Sequence, residues 1–319
     1  MRNLVLSLAL VAGCSGATTV ARTSTTTSTT TSTSTTTTTT TTTTVADCRQ
    51  DGVATTVAYT TIAGVDPNLT SLDIYQPETP ECDAPVVMWV HGGGYSVGDK
   101  ANQITNKANL FNSAGWILVS VNYWLTAPGL DNSAQFPDHY NDVAAAFAWV
   151  HNHITEYGGN PTRIALLGHS AGADIVSNVA TNPQYLQAVG LDLTAIKCAG
   201  PLDTEGFDKA QAGSSDPDGE RAQWKNALGN NPNYIVETSA TMLIDAGIGI
   251  PPMIGVVRGS AGRQRIETAF LATLDAAGVT TVMIDARSLT HNEVNNHIGA
   301  ANDQVMTAPL MQFLTKCLM

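Results

Sequence analysis

The chain has 319 residues, 43% of them hydrophobic and 13% charged, with 15 Lys and Arg against 27 Asp and Glu and a net charge of −12 with histidine neutral. The basic residues are scattered, and residues 1–46 hold Arg2 and Arg22 but no acid, so the acid excess lies in the remainder. That balance excludes nucleic acid and anionic lipid surfaces as charge-driven partners.

The first segment, M-R-N-L-V-L-S-L-A-L-V-A-G-C, is a basic residue followed by an apolar run too short to span a bilayer. It has the form of an export leader, residues 1–13. Its end, Val11-Ala12-Gly13-Cys14, resembles a bacterial lipoprotein cleavage box, which implies cleavage before Cys14 and a lipid anchor on its thiol. Residues 22–46 are nearly pure Thr and Ser, have almost nothing to bury, and are expected to form a flexible tether within the stretch 14–46. The expected localisation is therefore a bacterial cell envelope, with the membrane touched only through that anchor. Residues 47–319 are an ordinary length for one α/β domain.

Within that domain, 53–62 and 71–77 are β-branched and aromatic and are predicted as strands, with a turn at Asp66-Pro67-Asn68 between them. Residues 85–90 form a continuous apolar run, as a strand covered on both faces requires, and break at His91-Gly92-Gly93-Gly94. A helix over 103–113 is followed by a strand at 116–123. Val143, Phe147, Val150 and Ile154 share one helical face within 138–156. A strand at 163–168 runs into His169-Ser170-Ala171-Gly172, where a helix opens. Further strands are predicted at 195–202, 252–257 and 280–285, and helices at 265–277 and 304–317. The alternation predicts a mostly parallel sheet with helices on both faces. Residues 206–250 fit it least and are expected to be a cap or a decorated crossover.

Two motifs carry chemistry. Gly168-His169-Ser170-Ala171-Gly172 matches G-x-S-x-G, a sharp strand-to-helix turn that lifts the serine clear of the backbone at a helix N-terminus. Glycines 92–94 after a buried strand expose backbone N–H groups on a loop. The N–H groups of Gly93 and Gly94, with that of Ala171, can meet an oxyanion. His91 is expected to pin the loop.

With these motifs, and with S-L-D-I-Y-Q-P, V-S-V-N-Y-W-L, F-P-D-H-Y-N-D-V and E-Y-G-G-N-P-T-R-I, the chain over residues 70–319 resembles an α/β-hydrolase esterase. It is most similar to the hormone-sensitive-lipase-like carboxylesterases and the bifunctional feruloyl and acetyl-xylan esterase group. The resemblance implies the α/β-hydrolase fold, a Ser170 nucleophile and a histidine after the last strand. His291 stands there, while His297 lies further on and is expected to be a solvated side chain. His139, His151 and His153 are expected to be surface or scaffold residues.

The family's acid normally follows the strand 252–257 in a G-x-x-D pattern. Here the matching position is Gly262, which has no side chain, and the loop is short. The end of the neighbouring strand offers Asp203 instead, in a G-P-L-D context similar to pancreatic-type lipases. Adjacent strand ends lie about 5 Å apart, so a carboxylate on either reaches one histidine. Glu205, Asp208, Glu267 and a dyad without an acid stand as alternatives. Asp203-Thr204-Glu205-Gly206 is also a good turn sequence.

The expected activity is hydrolysis of short acyl or aryl esters, without cofactor or metal. Two alternatives stand beside it: an arylformamidase-like amide hydrolase, and a non-catalytic binding protein that uses the same fold. Tyr95 and Trp124 are candidates to line the pocket. With Cys14 used for lipid, the other four cysteines suggest two disulfides, Cys48–Cys82 and Cys198–Cys317 being the favoured pairing.

Overall fold

The computed structural model describes two strands in the Thr tract, 20–28 and 35–43, and then residues 54–78, 82–212, 220–229 and 231–319. The leader, Cys14 and Cys48 lie outside the described residues. In the Thr tract, strands β1 (Val20–Ser28) and β2 (Thr35–Thr43) pair antiparallel, in keeping with the strand preference of β-branched threonine.

The domain is built on an eight-stranded sheet. In chain order its strands are β3 (Thr55–Ala58), β4 (Ser71–Tyr75), β5 (Ala84–Val90), β6 (Ile117–Val121), β7 (Gly159–His169), β8 (Cys198–Leu202), β9 (Met253–Val257) and β10 (Thr281–Asp285). The spatial order is β10-β9-β8-β7-β5-β6-β4-β3. The pairs β3–β4 and β4–β6 are antiparallel, and all the others are parallel.

The helices are α1 (Thr105–Ser113), α2 (Asp138–His153), α3 (Ala171–Thr181), α4 (Pro183–Ala188), α5 (Glu220–Leu228), α6 (Asn233–Glu237), α7 (Ala261–Ala276), α8 (His291–Asn296) and α9 (Thr307–Leu318). Side chains alternate across each strand, and β5 shows why its run is apolar throughout. Val86, Met88 and Val90 face one core, which Phe147 of α2, Val176 of α3 and Phe270 of α7 complete. Val87 and Trp89 face the other, with Phe111 of α1, Val294 of α8 and Leu314 of α9. The sheet is covered on both faces, as the alternating pattern predicted.

Several boundaries differ from the sequence prediction. The helix expected from 265 begins at Ala261, because the Ser260 hydroxyl accepts the Arg263 N–H at 3.2 Å and caps it. The helix expected from 304 begins at Thr307, after Asp303 collects the N–H groups of Val305 and Met306. α8 starts at His291 because Thr290 and Glu293 form a reciprocal capping box.

Cys198 and Cys317 are disulfide-bonded and tie β8 to α9. In 206–250, α5 brings Trp224, Ala227 and Leu228 onto the first core, and the Phe136 N–H donates to Ala227 O at 2.8 Å.

Candidate active site

Ser170 sits between β7 and α3 with φ 59° and ψ −122°, a left-handed strained turn that projects the side chain away from the chain's path. The flanking glycines are required by space. A methyl group on Gly168 would collide with the backbone of Gly172, and one on Gly172 with Val90 O of β5.

The glycine loop runs alongside. A Cβ on Gly92 would stand 2.9 Å from the Ser170 Cβ, and Gly93 and Gly94 adopt φ of 121° and 58°. Among the described residues, no protein group accepts the N–H protons of Gly93 or Gly94. Ala171 is the first residue of α3, so its N–H has no intrahelical acceptor. His91 is buried, holds its own loop through Nδ1 and Gly92 O at 2.7 Å, and stacks on Tyr123.

Across from the serine, His291 Nε2 lies 2.9 Å from Ser170 Oγ, and His291 Nδ1 lies 2.7 Å from Asp203 Oδ2. Ser170, His291 and Asp203 are thus brought into one line. Asp203 follows β8 directly, is fully buried, and takes φ 71°, a conformation aspartate tolerates better than most residues.

The other candidate acids have different partners. Asp208 binds the N–H and amide of Gln211. Glu205 is buried at the start of a 3-10 turn. Glu267 accepts the Arg258 N–H at 2.8 Å and Arg263 Nε at 3.2 Å. Gly262 lies in the first turn of α7, and the loop before that helix is only Arg258, Gly259 and Ser260.

Asp203 is held by cations that the sequence did not single out. Arg258 Nε donates to Asp203 Oδ2. Arg263 places Nε 3.0 Å and Nη2 2.8 Å from Asp203 Oδ1. Burial alone would raise the Asp203 carboxyl, but the hydrogen bond from His291 and the charges of Arg263 and Arg258 hold it well below the usual carboxylate range. Burial, and then the nearby Asp203 charge, push Glu267 up to about 9. The pair therefore carries its negative charge on Asp203 at neutral pH. A sequence signal for this cluster exists: Arg258 and Arg263 follow a buried strand, where an acid was expected, in a chain with few charges.

The remaining histidines serve as scaffold or surface. His169 is buried, pushed down to about 3 by desolvation and then by His291, and its Nε2 lies 2.9 Å from His291 O. As a neutral ring it donates that proton and fixes the backbone of the histidine helix. His139 is buried against Thr126 at 2.9 Å. His151 and His153 lie at the surface, and His297 pairs with Asp303 at 3.5 Å.

Tyr95 does not line an open pocket as expected. It is buried, with its hydroxyl on Asp174, a fully buried carboxylate that also binds Lys209 Nζ at 2.7 Å and Asn178 Nδ2 at 3.0 Å. Trp124 is half-buried, and its backbone N–H donates to Asp142 Oδ2. Instead, Gln223 of α5 lies over the loop: a Cβ on Gly94 would stand 2.6 Å from its Cδ.

Among the described residues, His169, Asp203 and His291 form one group whose ligand atoms lie within 4.8 Å of one another. Two guanidinium groups packed on Asp203 oppose a cation there. What the arrangement can do is pass a proton from Ser170 to an imidazole backed by a carboxylate, beside free N–H donors.

Solved structures share the fold. Esterase B from Lactobacillus rhamnosis superposes with a TM-score of 0.66 at 17% identity, over 84% of this chain and 88% of that one. The thermophilic esterase Est2 from Thermogutta terrifontis does so with 0.62 at 22% identity, over 83% and 92%.

Among curated relatives, the para-nitrobenzyl esterase of Bacillus subtilis (strain 168) is 28% identical over 174 residues, 53% of this chain and 35% of that protein. The probable carboxylic ester hydrolase LipM of Mycobacterium tuberculosis is 38% identical over 116 residues, 35% of this chain and 25% of that protein. The chain thus spans about a third or less of the length of these relatives. The model of the carboxylesterase family matches residues 28–194, more than half of the chain and including the glycine loop and Ser170. On that match, the chain belongs to the carboxylesterase family.

Proposed function

We propose that the chain is a serine carboxylesterase that hydrolyses short acyl or aryl esters through an acyl-enzyme on Ser170. The observation that carries this is the unbroken contact from Ser170 Oγ through His291 to the buried Asp203, at 2.9 and 2.7 Å. His291 Nε2 takes the hydroxyl proton as Ser170 Oγ attacks the ester carbonyl. The N–H groups of Gly93, Gly94 and Ala171 receive the oxyanion. The imidazolium then returns its proton to the leaving alcohol. Water, deprotonated by the same ring, releases the acid and restores the serine. A small acyl group is favoured because Ser170 is only 8% exposed and Gln223 packs over Gly94. The expected result is turnover of p-nitrophenyl acetate with little turnover of an N-formyl aryl amide. Preference for the amide would overturn the ester assignment.

We also propose export and lipid anchoring at Cys14, on the support of the leader and its Val-Ala-Gly-Cys end. Bacteria expressing the full chain should incorporate labelled palmitate into it, and Cys14→Ala should abolish the label. Equal labelling of both, or of neither, would remove the anchor.

A further inference from the structure

The loop after β9, where the family's acid is expected, here supplies cations. Arg258 is the first residue after β9 and Asp203 the first after β8, on neighbouring parallel strands. Arg258 is 5% exposed and Arg263 1%, and both guanidinium groups are turned onto the carboxylate. Long cationic side chains are seldom buried this far unless they are paired. The division of contacts is specific. Arg263 occupies Oδ1 of Asp203 with two nitrogens, while Arg258 Nε shares Oδ2 with His291 Nδ1. Arg258 Nη2 also stands 2.7 Å from His291 Nδ1. That nitrogen carries one proton in the tautomer able to act as base at Nε2. It gives this proton to Asp203, so the guanidinium lies against it as a fixed charge and not as a hydrogen-bond donor.

We infer that Arg258 and Arg263 are positioning residues for the Asp203–His291 pair: Arg263 locks the carboxylate so that Oδ2 faces the imidazole, and Arg258 braces the same oxygen and keeps a fixed positive charge against the Nδ1 edge of the ring. The inference rests on the triad reading proposed above. It accounts for a site whose acid has moved one strand over. A carboxylate buried at a strand end needs compensation, and two guanidinium groups give it while leaving one oxygen for histidine.

The other charged groups around the ring are accounted for. From β7, neutral His169 packs on it with ring centroids 4.5 Å apart. Glu267 of α7 reaches it only through the arginines and Asp203. Lys107 of α1 binds Asn295 O at the far end of α8, and Glu293 is engaged with Thr290. Among the described residues, Arg258 is thus the cation in direct contact with the imidazole.

The test is Arg258→Met, which removes the charge and leaves Asp203 held by Arg263, with Arg258→Lys as the charge-retaining control. The full chain is titrated by NMR at the His291 imidazole, assigned with His291→Gln, and kcat/KM is followed against pH. In Arg258→Met both the imidazole midpoint and the acidic limb should move up by roughly one pH unit. The sign follows because losing a neighbouring cation favours the protonated ring. KM should stay unchanged, because Arg258 does not reach solvent, and Arg258→Lys should return the limb toward its original position. Arg263→Met should lower kcat roughly 10- to 100-fold through a loosened carboxylate, again without change in KM, with Arg263→Lys recovering part. A folded Arg258→Met protein with an unmoved imidazole midpoint would overturn the inference. The NMR arm needs no turnover, so it decides the matter even if Ser170→Ala retained activity and the triad reading itself failed.

Discussion

Ser170→Ala is expected to lower kcat for p-nitrophenyl acetate by about 10⁶-fold while the protein keeps its melting temperature. In the proposed mechanism the serine hydroxyl oxygen bonds the acyl carbon, a role that no neighbouring group takes over. Its partner His291 Nε2 stands 2.9 Å from that hydroxyl, ready to take its proton. The structural cost should be small, because the turn is shaped by glycines 168 and 172 and not by the hydroxyl. Removing one oxygen from a residue already in the left-handed region leaves its backbone strain unchanged. A fluorophosphonate probe should add one phosphonyl group to the wild-type protein at Ser170, by peptide mass, and none to the variant. Labelling at another serine, or unchanged turnover in the variant, would refute the nucleophile assignment.

Asp203→Asn should lower kcat by about 10⁴-fold and, unlike the serine change, should also weaken the fold. Catalytically, the amide no longer holds the imidazole proton at Nδ1 and no longer offsets the imidazolium charge. Structurally, Arg258 and Arg263 lose their shared counter-charge inside a buried site. Breaking one partner of a buried ion pair costs about 3–5 kcal/mol.

Glu267 limits that loss, because it already touches Arg263 and can release its proton to become the new counter-ion. The sign of the pH effect follows from the depressed Asp203 carboxyl. Its stabilisation is present above the unfolded value of about 3.9 and fades as pH falls through the folded one. The wild-type advantage over Asp203→Asn in denaturant unfolding should therefore be full near neutrality and shrink in acid. An Asp203→Asn protein with near-normal turnover would move the search to Glu205, Asp208, Glu267 or a working dyad.

The parts of this protein legible in its sequence are those whose cause is local. An apolar run makes a buried strand wherever it is placed, so β5 and β9 were predicted close to where they lie, while β7 starts four residues before its predicted 163. The turn at Gly168–Gly172 is dictated by the space its own backbone leaves. His291 was expected because the resemblance to esterases implies a histidine after the last strand. Asp203 was reachable because its strand end neighbours the one left without an acid.

What the tertiary structure alone decided are the choices made between distant residues. Asp203 meets Arg258 and Arg263 across 55 and 60 positions of chain, and no local pattern states that a strand-end arginine will turn inward onto a carboxylate. Tyr95 follows the glycine loop in sequence, yet turns to Asp174, 79 residues on. Gln223 comes over Gly94 only because α5 packs its other side chains on the core. Local sterics fix turns and strands from a few neighbouring residues. The pairing of buried charges depends on which partners the packed chain brings within about 3 Å, and that is set only once the sheet and its helices are assembled.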